Sequence, residues 1–419
     1  MFENRRKKVI DSLNDQSIAL FYSGWSKHKS NDQYFPFSVN RNFFYLTGIE
    51  QENVVLMLIK GNNNVESFLF IEEVDPIKAL WDGATLSFEE ASKISEIKVE
   101  NIKDINTLDT FLNNILGVSR AAIYGELKNM YFDFEKYKPI NFLNYTEILS
   151  NQYQEKYPFL NIMNSSRILA HLRMRKDQFE VDQTLKAINI TNKALQHILK
   201  TIKPGLNEFE IEAEYNYILN KNGVVPSFDT IAASGKNGCI LHYVDNNNVM
   251  NDNELILFDL GVKYNNYCSD VSRTYPVNGK FTKRQKEIYN IVLEANKKTI
   301  EWLKPGKTMK EFNNYGKQIL IDGLKKIGLI KNDDEITKYY YHSLGHYLGL
   351  DVHDVGSYDE PIPVGAIITV EPGLYIAEEG IGIRIEDDIL ITEDGNINLT
   401  KEIIKEVDEI EEFMKKYNN

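Results

Sequence analysis

Four acidic residues in the second half of the chain stand where acids are costly. Leu255-Ile256-Leu257-Phe258-Asp259-Leu260 is an apolar run with one carboxylate inside it. After the turn-rich stretch Gly261 to Tyr267 comes Cys268-Ser269-Asp270-Val271-Ser272. With a turn at Tyr264-Asn265, residues 263 and 266 pair, and the same register sets Asp259 opposite Asp270. A second hairpin repeats the arrangement, with Ile367 to Glu371 as one strand and Ile381 to Glu386 as the other. A turn at Glu378-Glu379 sets Glu371 opposite Glu386, and Pro372 is a place where a bulge would shift that register by one residue. Cross-strand neighbours have Cβ atoms about 4.5–5.5 Å apart, and like charges there repel. A lone acid in a strand is ordinarily a solvated side chain. Facing pairs inside apolar strands need something positive between them.

Roughly four negative charges call for two divalent cations rather than one. Oxygen ligation completed by one imidazole suits manganese, cobalt or zinc, whereas calcium would want more carbonyl ligands. Of the seven histidines, His242, His342, His346 and His353 fall in this half. His342 and His346 are spaced like a zinc-protease helix pair, but position 343 is Ser where such a site needs Glu. The glycine-punctuated segment Gly345 to Asp354 reads as a loop and short strand. One neutral imidazole would complete the metal site, and the others could meet a peptide carbonyl or a developing oxyanion. His28, His171 and His197 have polar or helical surroundings and receive no function.

The elements that must position these groups fall into two domains. Residues 1–160 read as mixed α/β, with buried strands at Val54 to Ile59 and Ser67 to Ile71 around a turn at Gly61 to Asn64. The polar segment Tyr153 to Pro158 suggests a boundary within 150–165, and helical spacing begins at Ser165. The second domain, 161–419, holds a faint repeat. Lys203-Pro204-Gly205 precedes Asn207-Glu208-Phe209-Glu210, and Lys304-Pro305-Gly306 precedes Thr308-Met309-Lys310-Glu311. Each is a helix cap with glutamate three residues on, and each unit then leads to one carboxylate hairpin. A pseudo-twofold domain follows.

The formal net charge of -13 argues against nucleic acid or an anionic membrane as partner. Cys239 and Cys268 are too few for a disulfide framework and point to a reducing compartment. The N-terminal Arg5, Arg6, Lys7 and Lys8 have no apolar stretch behind them, unlike a secretory signal, and no apolar run is long enough to span a bilayer. The expectation is a soluble cytoplasmic protein.

These segments together resemble the pita-bread metallopeptidase family, which includes methionine aminopeptidase, prolidase and aminopeptidase P. The resemblance rests on Phe258-Asp259-Leu260-Gly261, Ser269-Asp270-Val271-Ser272-Arg273-Thr274, His342-Ser343-Leu344-Gly345-His346, Val370-Glu371-Pro372-Gly373 and Ile383-Arg384-Ile385-Glu386-Asp387-Asp388. Asn42 to Gly48 is similar to the N-terminal domain of aminopeptidase P and prolidase, and His346 to Asp354 is similar to the proline-specific branch. The implied fold is α/β (α+β): a creatinase/aminopeptidase P-type domain followed by a pseudo-twofold pita-bread domain. The implied metal ligands are Asp259, Asp270, His346, Glu371 and Glu386, with Asp270 and Glu386 bridging two divalent ions, Mn2+ first and Co2+ or Zn2+ as alternatives. A hydroxide bridging them would attack the carbonyl before proline, with Glu371 as general base and acid. His242 and His353 would contact the scissile carbonyl and the proline side. His342, Tyr375, Arg384 and Trp81 would complete the substrate site, and Trp81, in Leu80-Trp81-Asp82-Gly83, would come from the neighbouring subunit of a homodimer unless it is ordinary core packing. The implied activity is release of the N-terminal residue from Xaa-Pro peptides. Prolidase action on Xaa-Pro dipeptides and an inactive peptide-binding module are the alternatives.

Overall fold

A computed structural model describes residues 1–135 and 143–417. The chain forms two compact units, Met1–Leu172 and Arg173–Asn419.

The first unit is built on a six-stranded mixed sheet. Ser17–Tyr22 and Val55–Lys60 are near-continuous apolar runs and pair antiparallel at its centre, as expected of strands covered on both faces. Val55–Lys60 and Val65–Ile71 form the expected hairpin, with Lys60 opposite Val65. Asn129–Phe132 runs parallel to Ser17–Tyr22, and Asn161–Asn164 runs parallel to it in turn. That last strand moves the division between units to a point after the boundary near 160 expected from sequence. Tyr153 to Pro158 is polar because it ends the helix Tyr145–Lys156, not because it links domains.

In the second unit the repeat becomes visible as geometry. Gly205 adopts φ +93° and Gly306 φ +84°, a left-handed conformation that glycine takes without a Cβ penalty. The Gly205 amide donates to Met250 O at 2.9 Å, and the Gly306 amide donates to Ile362 O at 3.0 Å. Capping boxes then start Glu208–Lys221 and Met309–Lys326. Bridges join Asn207 to Val249 and Thr308 to Pro361. Each of these helices packs against the long helix that precedes it, Gln178–Thr201 or Lys283–Trp302. The apolar faces of these helices and the strands between them form one continuous core.

Candidate active site

Leu255–Leu260 is the middle strand of three, flanked by Ile231–Ser234 and Val271–Pro276. Its hairpin turns at Asn265-Asn266, both with positive φ of 49° and 65°, so Tyr264 pairs with Tyr267 and Lys263 with Cys268. Two consecutive left-handed residues make the tight turn that suits hairpin twist, and asparagine tolerates it. Asp259 consequently faces Ser272, not Asp270. This corrects the register read from sequence by two residues. A two-residue slip preserves the face, so both acids still point the same way. Gly261 sits where a Cβ would come 1.9 Å from Ser269 O, so the chain can cross there only as glycine.

The second hairpin keeps the expected register. Val370 pairs with Asp387 before Pro372 and Gly373 with Arg384 after it, which leaves Glu371 and Glu386 opposite each other with no bulge. At those two residues the ladder is interrupted. The Glu371 amide donates to Leu344 O at 2.8 Å, and the Glu386 amide donates to Ser272 O at 3.0 Å. Fully buried Arg273 braces the second strand, donating to Glu386 O at 2.5 Å and to Asp387 Oδ1 at 2.8 Å.

A cavity of about 280 Å3 is lined by Asp259, Asp270, Glu371, Glu386, His242, His342, His346, His353 and Arg384, with Leu241, Ser343 and Tyr358. Ligand atoms of Asp270, His346 and Glu386 lie within 4.8 Å of one another. His346 Nε2 is 3.4 Å from Asp270 Oδ2 and 3.6 Å from Glu371 Oε1. The other ring nitrogen, Nδ1, lies 3.0 Å from Tyr347 O. Donation to that carbonyl fixes the tautomer and turns the Nε2 lone pair into the cavity. Asp259 Oδ1 and Asp270 Oδ1 are buried without a hydrogen-bond partner. Burial, then the neighbouring carboxylates, pushes Asp270 and Glu386 well above the ordinary carboxyl range. Burial also raises Glu371. Crowded acids, two orphaned oxygens and an inward-facing imidazole lone pair fit divalent cations and little else.

The remaining groups form the walls. Arg384 Nη2 donates to Asp259 Oδ2 at 2.6 Å, Nε to Ser272 Oγ at 2.7 Å and Nη1 to Tyr375 Oη at 3.0 Å. Ser272 Oγ donates onward to Glu386 Oε2 at 2.8 Å. His342 Nε2 lies 2.9 Å from Tyr375 Oη. Burial, followed by the charges of Arg384 and His242, lowers His342 to about 4. Burial and then His346 lower His353 to about 4. Both rings are therefore neutral at neutral pH. The His353 ring meets that of His346 edge-on at 4.2 Å.

Of the other expected site residues, one lies behind the cavity wall and one belongs to the first unit. Tyr375 is 2% exposed and sits behind the wall, its hydroxyl taken up by His342 and Arg384. Trp81 belongs to the first unit, on the helix Pro76–Asp82, and is 85% exposed, which removes the core-packing alternative. Conversely, Tyr358 and Ser272 were not singled out from sequence. Nothing local marks Tyr358, whose ring packs edge-on against Tyr347 at 5.5 Å. Ser272 follows from the hairpin register once the turn is set on Asn265-Asn266.

The chain matches metallopeptidase family M24 over residues 182–393 and the aminopeptidase P N-terminal domain over residues 2–124. It is 35% identical to the Xaa-Pro aminopeptidase of Haemophilus influenzae, over 99% of this chain and 96% of that protein. The structure of a putative aminopeptidase P from Bacillus anthracis superposes with a TM-score of 0.96 at 42% identity, covering 99% of this chain and 98% of the other. Zinc-substituted aminopeptidase P from E. coli, in complex with product, gives a TM-score of 0.89 at 32% identity over 100% and 98% of the two chains.

Proposed function

The chain belongs to metallopeptidase family M24, and we propose on that premise that it is a metalloaminopeptidase releasing the N-terminal residue from peptides with proline in second position. The observation that carries this is the cavity in which Asp259, Asp270, Glu371, Glu386 and His346 converge with two carboxylate oxygens left unpartnered.

In this reading Asp259, Asp270, His346, Glu371 and Glu386 would hold two divalent cations. Bound cations would supply a nucleophilic water at neutral pH and polarise the scissile carbonyl. The protein's own groups do the rest. Glu371 would take a proton from the attacking water and return it to the departing proline nitrogen. His242 and His353 stand in the wall where a carbonyl oxygen gaining negative charge can be met by ring N–H donors. His342, held by Tyr375, gives the proline ring a fixed surface.

One feature favours the aminopeptidase over the prolidase. Among the described residues lining the cavity, Arg384 is the only arginine or lysine, and its guanidinium is committed to Asp259, Ser272 and Tyr375. No lysine or arginine of the described lining is left free to pair with the terminal carboxylate of a dipeptide, whereas a longer peptide places no charge at that point.

We read manganese as the native metal, with cobalt or zinc as substitutes, on the strength of an oxygen-rich site with one nitrogen. No helix of the described residues is long and apolar enough to cross a membrane. A cytoplasmic location is supported by the free thiols of Cys239 and Cys268. A homodimer is supported by the exposed apolar group of Ile77, Leu80 and Trp81, 72%, 85% and 85% accessible.

The test is mass-spectrometric cleavage by metal-stripped protein, with and without manganese, of Arg-Pro-Pro, Ala-Pro and Met-Ala-Ser. Manganese-dependent loss of arginine from the first is expected. Cleavage of Ala-Pro alone would favour the prolidase. Metal binding with no cleavage of any would favour a binding module.

A further inference from the structure

Charged side chains are packed into the core immediately beyond His353. The side chains of Arg173, Lys176 and Asp354 are 2%, 1% and 1% exposed. Arg173 Nη2 donates to Asp354 Oδ1 and, at 3.2 Å, to Asp351 Oδ2. Lys176 Nζ donates to Asp354 Oδ2 at 3.0 Å. Both Asp354 oxygens are thus engaged. Burial alone would push the Asp354 carboxyl up, but Arg173 and Lys176 outweigh it and hold the group below its ordinary value. None of these residues lines the cavity.

A buried ion cluster stabilises a fold poorly, because desolvation consumes most of the Coulombic gain and apolar side chains of equal volume do as well or better. A geometric role is the stronger explanation here. Asp354 is the covalent neighbour of His353. The segment Gly345 to Asp354, which carries His346 and His353, lies outside every helix and ladder and makes a single bridge, Tyr347 to Ile368. Its course is set by Asp354 N–H on Tyr347 O at 2.8 Å, Gly349 N–H on Asp351 O at 3.0 Å, and Cys268 N–H on Gly349 O at 2.8 Å. Gly349 is wrapped against the cluster so closely that a Cβ would stand 2.2 Å from Asp354 Oδ2 and 2.9 Å from Lys176 Cε. Lys176 is itself fixed by its amide on Gly365 O at 2.8 Å, next to Asp177, which caps the helix Gln178–Thr201.

We propose that Arg173, Lys176 and Asp354 are positioning residues for His353: the cluster anchors the loop at Asp354 and thereby sets the His353 imidazole against His346 at the cavity wall. The kinetic part of this inference rests on the aminopeptidase reading above. The cluster acts on turnover through one ring. A displacement of that ring by about 1 Å is enough to cost on the order of 10²-fold in rate.

The test is a double-mutant cycle on manganese-loaded full-length protein, with Asp354→Asn and His353→Ala made singly and together. Asp354→Asn is expected to lower kcat by about 10-fold or more, with KM and metal content little changed. In the His353→Ala background it should cost nothing further. Losses that multiply, or an unchanged kcat, would overturn the proposal. Should Asp354→Asn fail to fold, Lys176→Met, which leaves Arg173 on Asp354, takes its place in the same cycle. A second readout needs no turnover: in zinc-loaded protein the His353 imidazole NMR signals, identified by their absence in His353→Ala, should move in Lys176→Met. Unmoved signals would refute the positioning role, and wild-type protein that cleaves no Xaa-Pro peptide would refute the functional reading alone.

Discussion

Arg384 Nη2 donates to Asp259 Oδ2 at 2.6 Å, while Asp259 Oδ1 has no protein partner. One oxygen of this carboxylate is pinned and the other is presented to the cavity. The same guanidinium reaches Ser272, and through it Glu386, so a single cation orients one acid from each hairpin. Lysine, a point charge on a flexible stem, cannot make the three contacts at once. Arg384→Lys is therefore expected to lower kcat/KM by about 10–100-fold while metal content stays near wild type. Steady-state kinetics with elemental analysis checks it, and wild-type kinetics would show that this bracing is dispensable.

Asp270 has one oxygen unpartnered and the other 3.4 Å from His346 Nε2. Asp270→Ala should lose bound metal and about 10³-fold or more in turnover while the chain still folds. Circular dichroism, elemental analysis and peptide cleavage read the three parts separately. Wild-type turnover in this variant would end the two-metal reading.

His353 lies beside the proposed ligand set rather than within it. His353→Ala is expected to keep its metal and lose about 10²-fold or more in kcat. Metal loss instead would mean that His353, not His346, supplies the ligand nitrogen.

The metal-free site sets a pH dependence of known sign. Asp270, Glu371 and Glu386 are raised in the folded chain by burial and then by neighbouring carboxylates, Asp259 among them. A raised folded value gives stability below the unfolded carboxyl range, and that stability is lost as pH climbs through the folded values. Metal binding needs the deprotonated forms and so gains over the same interval. The difference in Tm between manganese-loaded and stripped protein should widen as pH rises from the ordinary carboxyl range through neutrality. Thermal scans across that range test it, and a constant difference would contradict the burial argument.

Trp81 and Leu80, both 85% exposed, are the residues to change for oligomeric state. The double variant Trp81→Ser, Leu80→Ser is expected to be a monomer in sedimentation or light-scattering measurements, and wild type a dimer. A wild-type monomer would remove the proposal outright.

Much of this site was legible from local patterns. Acids embedded in apolar strands, a proline after Glu371 and a capping motif repeated after each Lys-Pro-Gly all express themselves within a few residues. The first hairpin's register departs from the one a Tyr264-Asn265 turn implies, because Asn265-Asn266 is the pair able to take two left-handed conformations. The ion cluster behind His353 joins residues 178 and 181 positions apart, and no local spacing encodes such a contact. Tyr375 was expected at the surface of the cavity, but its hydroxyl had buried partners that only the folded chain reveals.

The interrupted ladder at Glu371 and Glu386 has a consequence for how the empty enzyme breathes. The two amides stand opposite each other, yet one is held by Leu344 at the head of the histidine loop and the other by Ser272 in the first hairpin. Deuterium uptake at residue 371 therefore registers opening of the loop, and uptake at residue 386 registers separation of the two hairpins. Two protons on facing residues serve as separate clocks for the two ways the centre can come apart.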